Sequence, residues 1–247
     1  MIEQALATPG LVWLAVTFVF AGVVRGFSGF GTALIFMPVG AIFLPVSTAI
    51  VVVTITGVVT WVLIVPRAFR EADKGEVGVL ALAAVAAAPL GVWMLTWLDR
   101  EVLRWTVAVV ATVTLAALVS GWRFGGRVRW PGLGAIGAAA GVLGGTTGLT
   151  GPPVILFYLA GPSGAAKVRA NTILFLACLD IGIIVNLLAR GLVGWAEVTL
   201  AAVLAVPYAL GIALGQWSFR PEAERGFRAV AYGVIGLAIV TGLPLFD

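Results

Sequence analysis

Apolar stretches about as long as a bilayer is thick follow one another along almost the whole chain, and no polar segment between them is long enough to fold alone. A helix needs about 20 apolar residues to cross a hydrocarbon core of ~30 Å. Of the 247 residues, 61% are hydrophobic and only 11% are charged. Soluble domains are nearer half apolar and a quarter charged. The expectation is an all-α polytopic membrane protein, a single transmembrane domain over residues 1–247. The formal charge of +4 lies between the apolar stretches and makes no basic face or stripe, which argues against nucleic acid as a partner. There is no histidine and one cysteine, Cys178, inside an apolar run. An intramolecular disulfide is therefore excluded, and zinc, haem and iron–sulfur chemistry are disfavoured, so no cofactor and no metal are expected. Cys178 reads as a buried structural thiol. The start, MIEQALATPG, has no basic n-region, so the first apolar stretch is expected to be retained.

The apolar stretches run roughly over 11–25, 32–46, 47–66, 77–98, 102–120, 132–145, 152–162, 168–189, 196–217 and 226–244. Those at 11–25, 32–46, 132–145 and 152–162 are short for a crossing and form two adjacent pairs, each joined by a glycine-rich break. The others are long enough for full spans. A shift of 119, which carries Gly22 to Gly141, lays GVVRGFSGFG on GVLGGTTGLT and matches Gly22, Val23, Gly26 and Gly29 with Gly141, Val142, Gly145 and Gly148. The register continues: Gly75 and Val79 match Gly194 and Val198, and after one inserted residue Gly91, Trp97 and Arg100 match Gly211, Trp217 and Arg220. This predicts an internal duplication, with repeat 1 at about 10–121, repeat 2 at about 131–244 and a cytoplasmic linker at 122–130.

Lysines and arginines give the orientation. The linker carries Arg123, Arg127 and Arg129 without an acid, which puts it in the cytoplasm. If each short pair returns to the side it left, Arg67, Arg70, Lys74, Lys167, Arg169, Arg220, Arg225 and Arg228 also fall inside, and both termini face outward. Each half then has a broken-helix hairpin, re-entrant or short-spanning, plus three full spans. Because three is odd, the halves are inverted. Inverted repeats with discontinuous helices are a mark of secondary transporters, with the site near the midplane.

At the second break, GGTTGLTGPP, Pro152 and Pro153 suit the first turn of a helix, and Thr150 or Gly151 stands at the cap position. In the first half the matching helix is expected near Thr32, with Ser28 and Gly31 in the break. Both returning helices would aim their N-termini at the break, and such ends favour anions. Glycines at 26, 29, 31, 145, 148 and 151 would let a ligand approach, and Ser28, Thr32, Thr146, Thr147 and Thr150 would add hydroxyl donors. The plainer reading is that these glycines serve close helix packing. Neither run fits a nucleotide-binding phosphate loop. Arg25 precedes the first break and needs protein, water or an anion beside it, unless it snorkels to a surface. Asp180 is the one acid well inside a long span, with Asn171 and Asn186 on the same helix. It reads as a proton carrier, an ion-pair partner or a structural hydrogen-bonding carboxyl. Lys167 and Arg169 read as topology residues that also stand where anions would gather at the cytoplasmic mouth, and Trp97 and Trp217 as interfacial anchors.

GVVRGFSGFGTALIFMP in the first half, GVLGGTTGLTGPPVILFYL in the second and KVRANT at Lys167–Thr172 resemble the TauE/SafE family of sulfite and organosulfonate exporters, over nearly the whole chain. The resemblance implies ion-coupled movement of a small sulfur-containing anion. Arg25, whose repeat partner is Gly144, departs from the symmetry.

The resulting expectation is a secondary transporter of sulfite or an organosulfonate, working by alternating access, and not an enzyme. Its anion would be bound by Arg25, Ser28, Gly29, Gly31, Thr32, Thr146, Thr147, Gly148, Thr150, Gly151 and Asn171, with Asp180 as the coupling residue. Its partners would be the anion, a coupling proton, the bilayer of the inner membrane and a second copy in a homodimer. An anion channel of the same architecture is the competing reading. A membrane enzyme or scaffold is disfavoured, since no nucleophile–base pair or metal set can be found.

Overall fold

The computed structural model describes residues 2–121, 128–161, 164–218 and 224–245, so Arg123, Arg127 and Arg220 of the topology reading lie outside the described residues. Every regular element among those described is a helix: α1 (Ile2–Leu6), α2 (Leu11–Ser28), α3 (Thr32–Phe43), α4 (Val46–Thr56), α5 (Val58–Leu63), α6 (Val65–Glu71), α7 (Lys74–Trp97), α8 (Arg100–Ser120), α9 (Trp130–Thr147), α10 (Pro152–Ala160), α11 (Ala165–Ala189), α12 (Trp195–Ser218) and α13 (Glu224–Gly242).

Helices that are long and apolar enough to cross a membrane run over Leu11–Ser28, Val46–Leu63, Lys74–Trp97, Arg100–Ser120, Ala166–Ala189 and Trp195–Ser218. Their outward faces are apolar, with Leu82, Val206 and Leu210 exposed, and Trp97 and Trp217 stand exposed at the ends of α7 and α12. An apolar belt edged with tryptophan is what lipid covers. The protein is an all-α, multi-pass membrane protein.

Three expected stretches turn out differently. The stretches at 11–25 and 132–145 are not short: α2 continues to Ser28 and α9 to Thr147, and 18 residues each reach about 27 Å at 1.5 Å per residue. The stretch at 47–66 keeps its crossing run, Val46–Leu63, but not as an uninterrupted helix. Its helix is irregular at Gly57, between α4 and α5, where the backbone stays right-handed, and it ends at Ile64, ahead of Pro66. An isolated glycine in an apolar run carries no local sign of a break, whereas Pro66 has no N–H with which to continue the preceding turn.

The first hairpin helix of each half packs on a long helix of the other half: α2 lies along α12, and α9 along α7. Glycines set how close they come. A β-carbon at Gly141 would overlap the Ala84 carbonyl oxygen, and one at Gly91 that of Val142. At the other seam, one at Gly211 would overlap the carbonyl oxygen of Val19, and one at Gly215 that of Val23. In hydrocarbon, where apolar burial gives helices little drive to associate, such backbone proximity supplies the packing contact. At the near end of α7, Asp73 caps the helix by accepting from the Glu76 N–H at 3.2 Å. Asp73 also pairs with Lys167 of α11 at 3.0 Å.

Candidate functional site

The two breaks are built alike. Ser28 ends α2 and its hydroxyl donates to the Val24 carbonyl at 2.7 Å; Thr147 ends α9 and donates to Leu143 at 2.7 Å. Each hydroxyl oxygen also accepts an N–H two residues on, that of Phe30 or Leu149, at 3.2 Å. Gly29 (φ 83°) and Gly148 (φ 75°) follow, each donating its N–H to the carbonyl four residues back, Arg25 or Gly144. This left-handed helix ending costs glycine little and any side chain a good deal. Every one of these positions corresponds at the shift of 119.

The chain then restarts as α3 and α10, but with unequal ends. In α3 the first-turn N–H groups of Thr32, Ala33 and Leu34 have no preceding turn to bond, and the first helical bond is Ile35 N–H to Gly31 O at 3.1 Å. In α10 the first two positions are Pro152 and Pro153, which have no N–H at all. The first half therefore supplies most of the backbone donors.

A cavity of about 40 Å³ lies between these two helix ends. Arg25, Gly31, Thr32, Gly148, Thr150, Gly151 and Asp180 all line it, drawn from both halves of the sequence. Its size admits only a few heavy atoms, since one water needs about 10–15 Å³ of such space. Arg25 is 5% exposed, and its Nε is buried without a hydrogen-bond partner. Asp180 is half-buried. Its Oδ2 lies against the Gly57 break, 3.3 Å from where a β-carbon there would stand. Arg25 is near enough for its charge to be felt at Asp180, yet no ion pair within 4 Å joins them among the described residues.

The family model for sulfite exporter TauE/SafE matches residues 14–242. The chain belongs to the TauE/SafE family. No curated protein and no solved structure matches it. A TauE/SafE chain is a membrane transporter of sulfite or related anions, which agrees with the multi-pass helical architecture. The small cavity beside the buried Arg25, whose Nε has no partner, is the candidate site.

Other residues expected at a TauE/SafE anion site are placed elsewhere. Ser28 is engaged with Val24 and Phe30, at the edge of a second, larger cavity. Gly29 packs against the Arg169 stem and Ile173. Thr147 is fully buried in its own turn. Thr146 turns toward α7, donating to Gly91 and Val142. Asn171 is also fully buried. Its Oδ1 accepts from the Asp73 N–H at 2.8 Å and its Nδ2 donates to Glu76 at 3.3 Å, so its amide ties α11 to α7. Gly26 and Gly145 face α12 and α7, as glycines that serve helix packing do.

Tyr208 was not anticipated. It is 1% exposed on α12, lines the small cavity, and its hydroxyl is 2.7 Å from the Thr32 hydroxyl. In sequence it is one aromatic in an apolar helix. Only its opposition to Thr32, at the start of α3, gives it a place in the site.

Proposed function

We propose that the chain exports sulfite or a similarly compact sulfur oxoanion as a secondary transporter. The anion rests in the small cavity against Arg25 and the first-turn N–H groups of α3. The observation that carries this reading is the buried Arg25 with its unpartnered Nε. A cation at membrane depth costs roughly 2.5–3.5 kcal/mol on insertion scales, and an anion at that nitrogen offsets much of the cost through a charge-assisted hydrogen bond. The α3 terminus adds about half a positive charge and free donors. A volume of about 40 Å³ suits the four heavy atoms of sulfite better than a sulfonate with an organic arm.

Alternating access by inverted halves accounts for the rest. The like-built breaks and the crossed packing of α2 on α12 and α9 on α7 support it. With both termini outside, the vestibule beside Arg67 and Arg169 faces the cytoplasm. Asp180 couples the anion to a proton: when the carboxyl is protonated, Arg25 acts on the anion unopposed; when it is ionised, it competes.

Purified protein in proteoliposomes is expected to exchange sulfite saturably and in response to a pH gradient. Passive conductance that neither saturates nor follows a gradient would make it a channel.

A further inference from the structure

A second cavity, of about 720 Å³, opens beside the first break. That volume is within the range of ordinary small-molecule sites, about 300–1,000 Å³. Ile155 of α10 lines both cavities and is 2% exposed, so its side chain partitions them.

The charged groups on the vestibule wall, among the described residues, are Arg67, Arg169 and Glu71. Glu71 is taken by Arg67, Nε to Oε1 at 3.0 Å, one turn away on the same helix. Arg169 is left without a carboxylate. Its Nη2 donates to the Gly26 carbonyl at 2.6 Å, which fixes the guanidinium beside the break, and its Nε is buried with no partner. Arg67, Glu71 and Arg25 are all close enough for their charges to act on it, two cations against one carboxylate. Three guanidinium groups thus stand in sequence from the mouth to the inner cavity, with two carboxylates, Glu71 at the mouth and Asp180 inside, to answer them.

We infer that the vestibule is a second anion site, with Arg169 as its chief ligand and Arg67 at its rim, separated from the inner site by Ile155. This rests on the reading of the inner cavity for its order of events, not for its chemistry. An arriving anion first exchanges hydration for the fixed Arg169 fork and the Gln216 side chain of the same wall. It then passes Ile155 only when α10 moves. A sulfonate with an organic arm fits the vestibule but not the inner cavity.

The test is equilibrium binding of radiolabelled sulfite to the purified full chain, anaerobically and at low ionic strength, with sulfoacetate as competitor. The wild type is expected to bind two sulfites per chain. Sulfoacetate should displace one, and Arg25→Gln and Arg169→Gln should each lose one, only the former keeping the sulfoacetate-sensitive one. Arg67→Gln, at an exposed position, should weaken that same site about two- to fivefold and make it less salt-sensitive. Two sulfites still bound by a folded Arg169→Gln protein, or none bound by Arg25→Gln, would overturn the inference. If Arg169→Gln does not fold, Arg67→Gln decides: unchanged affinity and salt dependence at both sites would overturn it. Loss of a site in Arg169→Gln but not in Arg25→Gln would instead sink the inner-site reading and leave the vestibule standing.

Discussion

The proposed transport chemistry centres on Arg25 and Asp180, a cation and an acid that share one small cavity without forming an ion pair among the described residues. In the proposed mechanism an anion enters between these charges, and the state of the carboxyl sets how strongly Arg25 draws it. Asp180→Asn mimics the neutral carboxyl. We expect it to bind sulfite as tightly at high pH as at low pH, apart from the titration of sulfite itself, and to lose the response of transport to a pH gradient. Equal pH dependence in variant and wild type, measured by sulfite-dependent melting, would remove Asp180 from coupling. Hydroxyls are less decisive than their residue types imply. Ser28 and Thr147 shape the breaks, and Thr146 faces α7, because a helix position fixes the direction of a side chain before any ligand arrives.

At the scale of helices, closeness is set by glycine and ends are set by caps. Gly141→Ala pushes a methyl into the Ala84 carbonyl and must part α9 from α7, whereas a β-carbon at Gly134 on the same helix meets nothing within 4 Å. Overpacking of this kind costs about 1–3 kcal/mol, so Gly141→Ala should melt several degrees lower. Gly134→Ala should melt unchanged or slightly higher, since alanine is the better helix former by up to ~1 kcal/mol. At the start of α7, the Lys167 ammonium bound to Asp73, together with the Glu76 N–H, holds the Asp73 carboxyl below the usual aspartate range. A carboxyl lowered in the folded state stabilises above its unfolded pKa of about 3.9, and that contribution fades as pH falls through the lower folded value. Both partners are about half exposed, so screening keeps the pair's contribution to at most about 1 kcal/mol. Asp73→Asn keeps a capping oxygen and should lose only that. Asp73→Ala should lose about 1 kcal/mol more with the cap. Melting curves at neutral and strongly acid pH check this, with the Asn variant converging on the wild type in acid.

How much was legible in the chain differs by scale. The breaks at Gly29 and Gly148 could be read directly, because glycine and proline act through the backbone of their own turn. That Arg25, Thr32 and Thr150 would line one cavity was expected from the matching spacing of the two glycine-rich runs. Tyr208 and the Gly57 break were hidden, since each matters only through what another helix places against it: Thr32 in one case, Asp180 in the other. Asn171 was visible as a polar residue in a span, but its service to Asp73 and Glu76 depends on how α11 packs on α7. Across the whole molecule, the two halves contribute unequally to one cavity: the first gives the charge and the N–H donors, the second the prolines and the acid. The purified protein should melt higher as sulfite is added and not with a neutral solute. In Arg25→Gln the sulfite concentration giving half the shift should rise at least about tenfold, as loss of a hydrogen bond to a charged group implies. An unchanged half-point in Arg25→Gln, or no sulfite-dependent shift in the wild type, would contradict an anion site at Arg25.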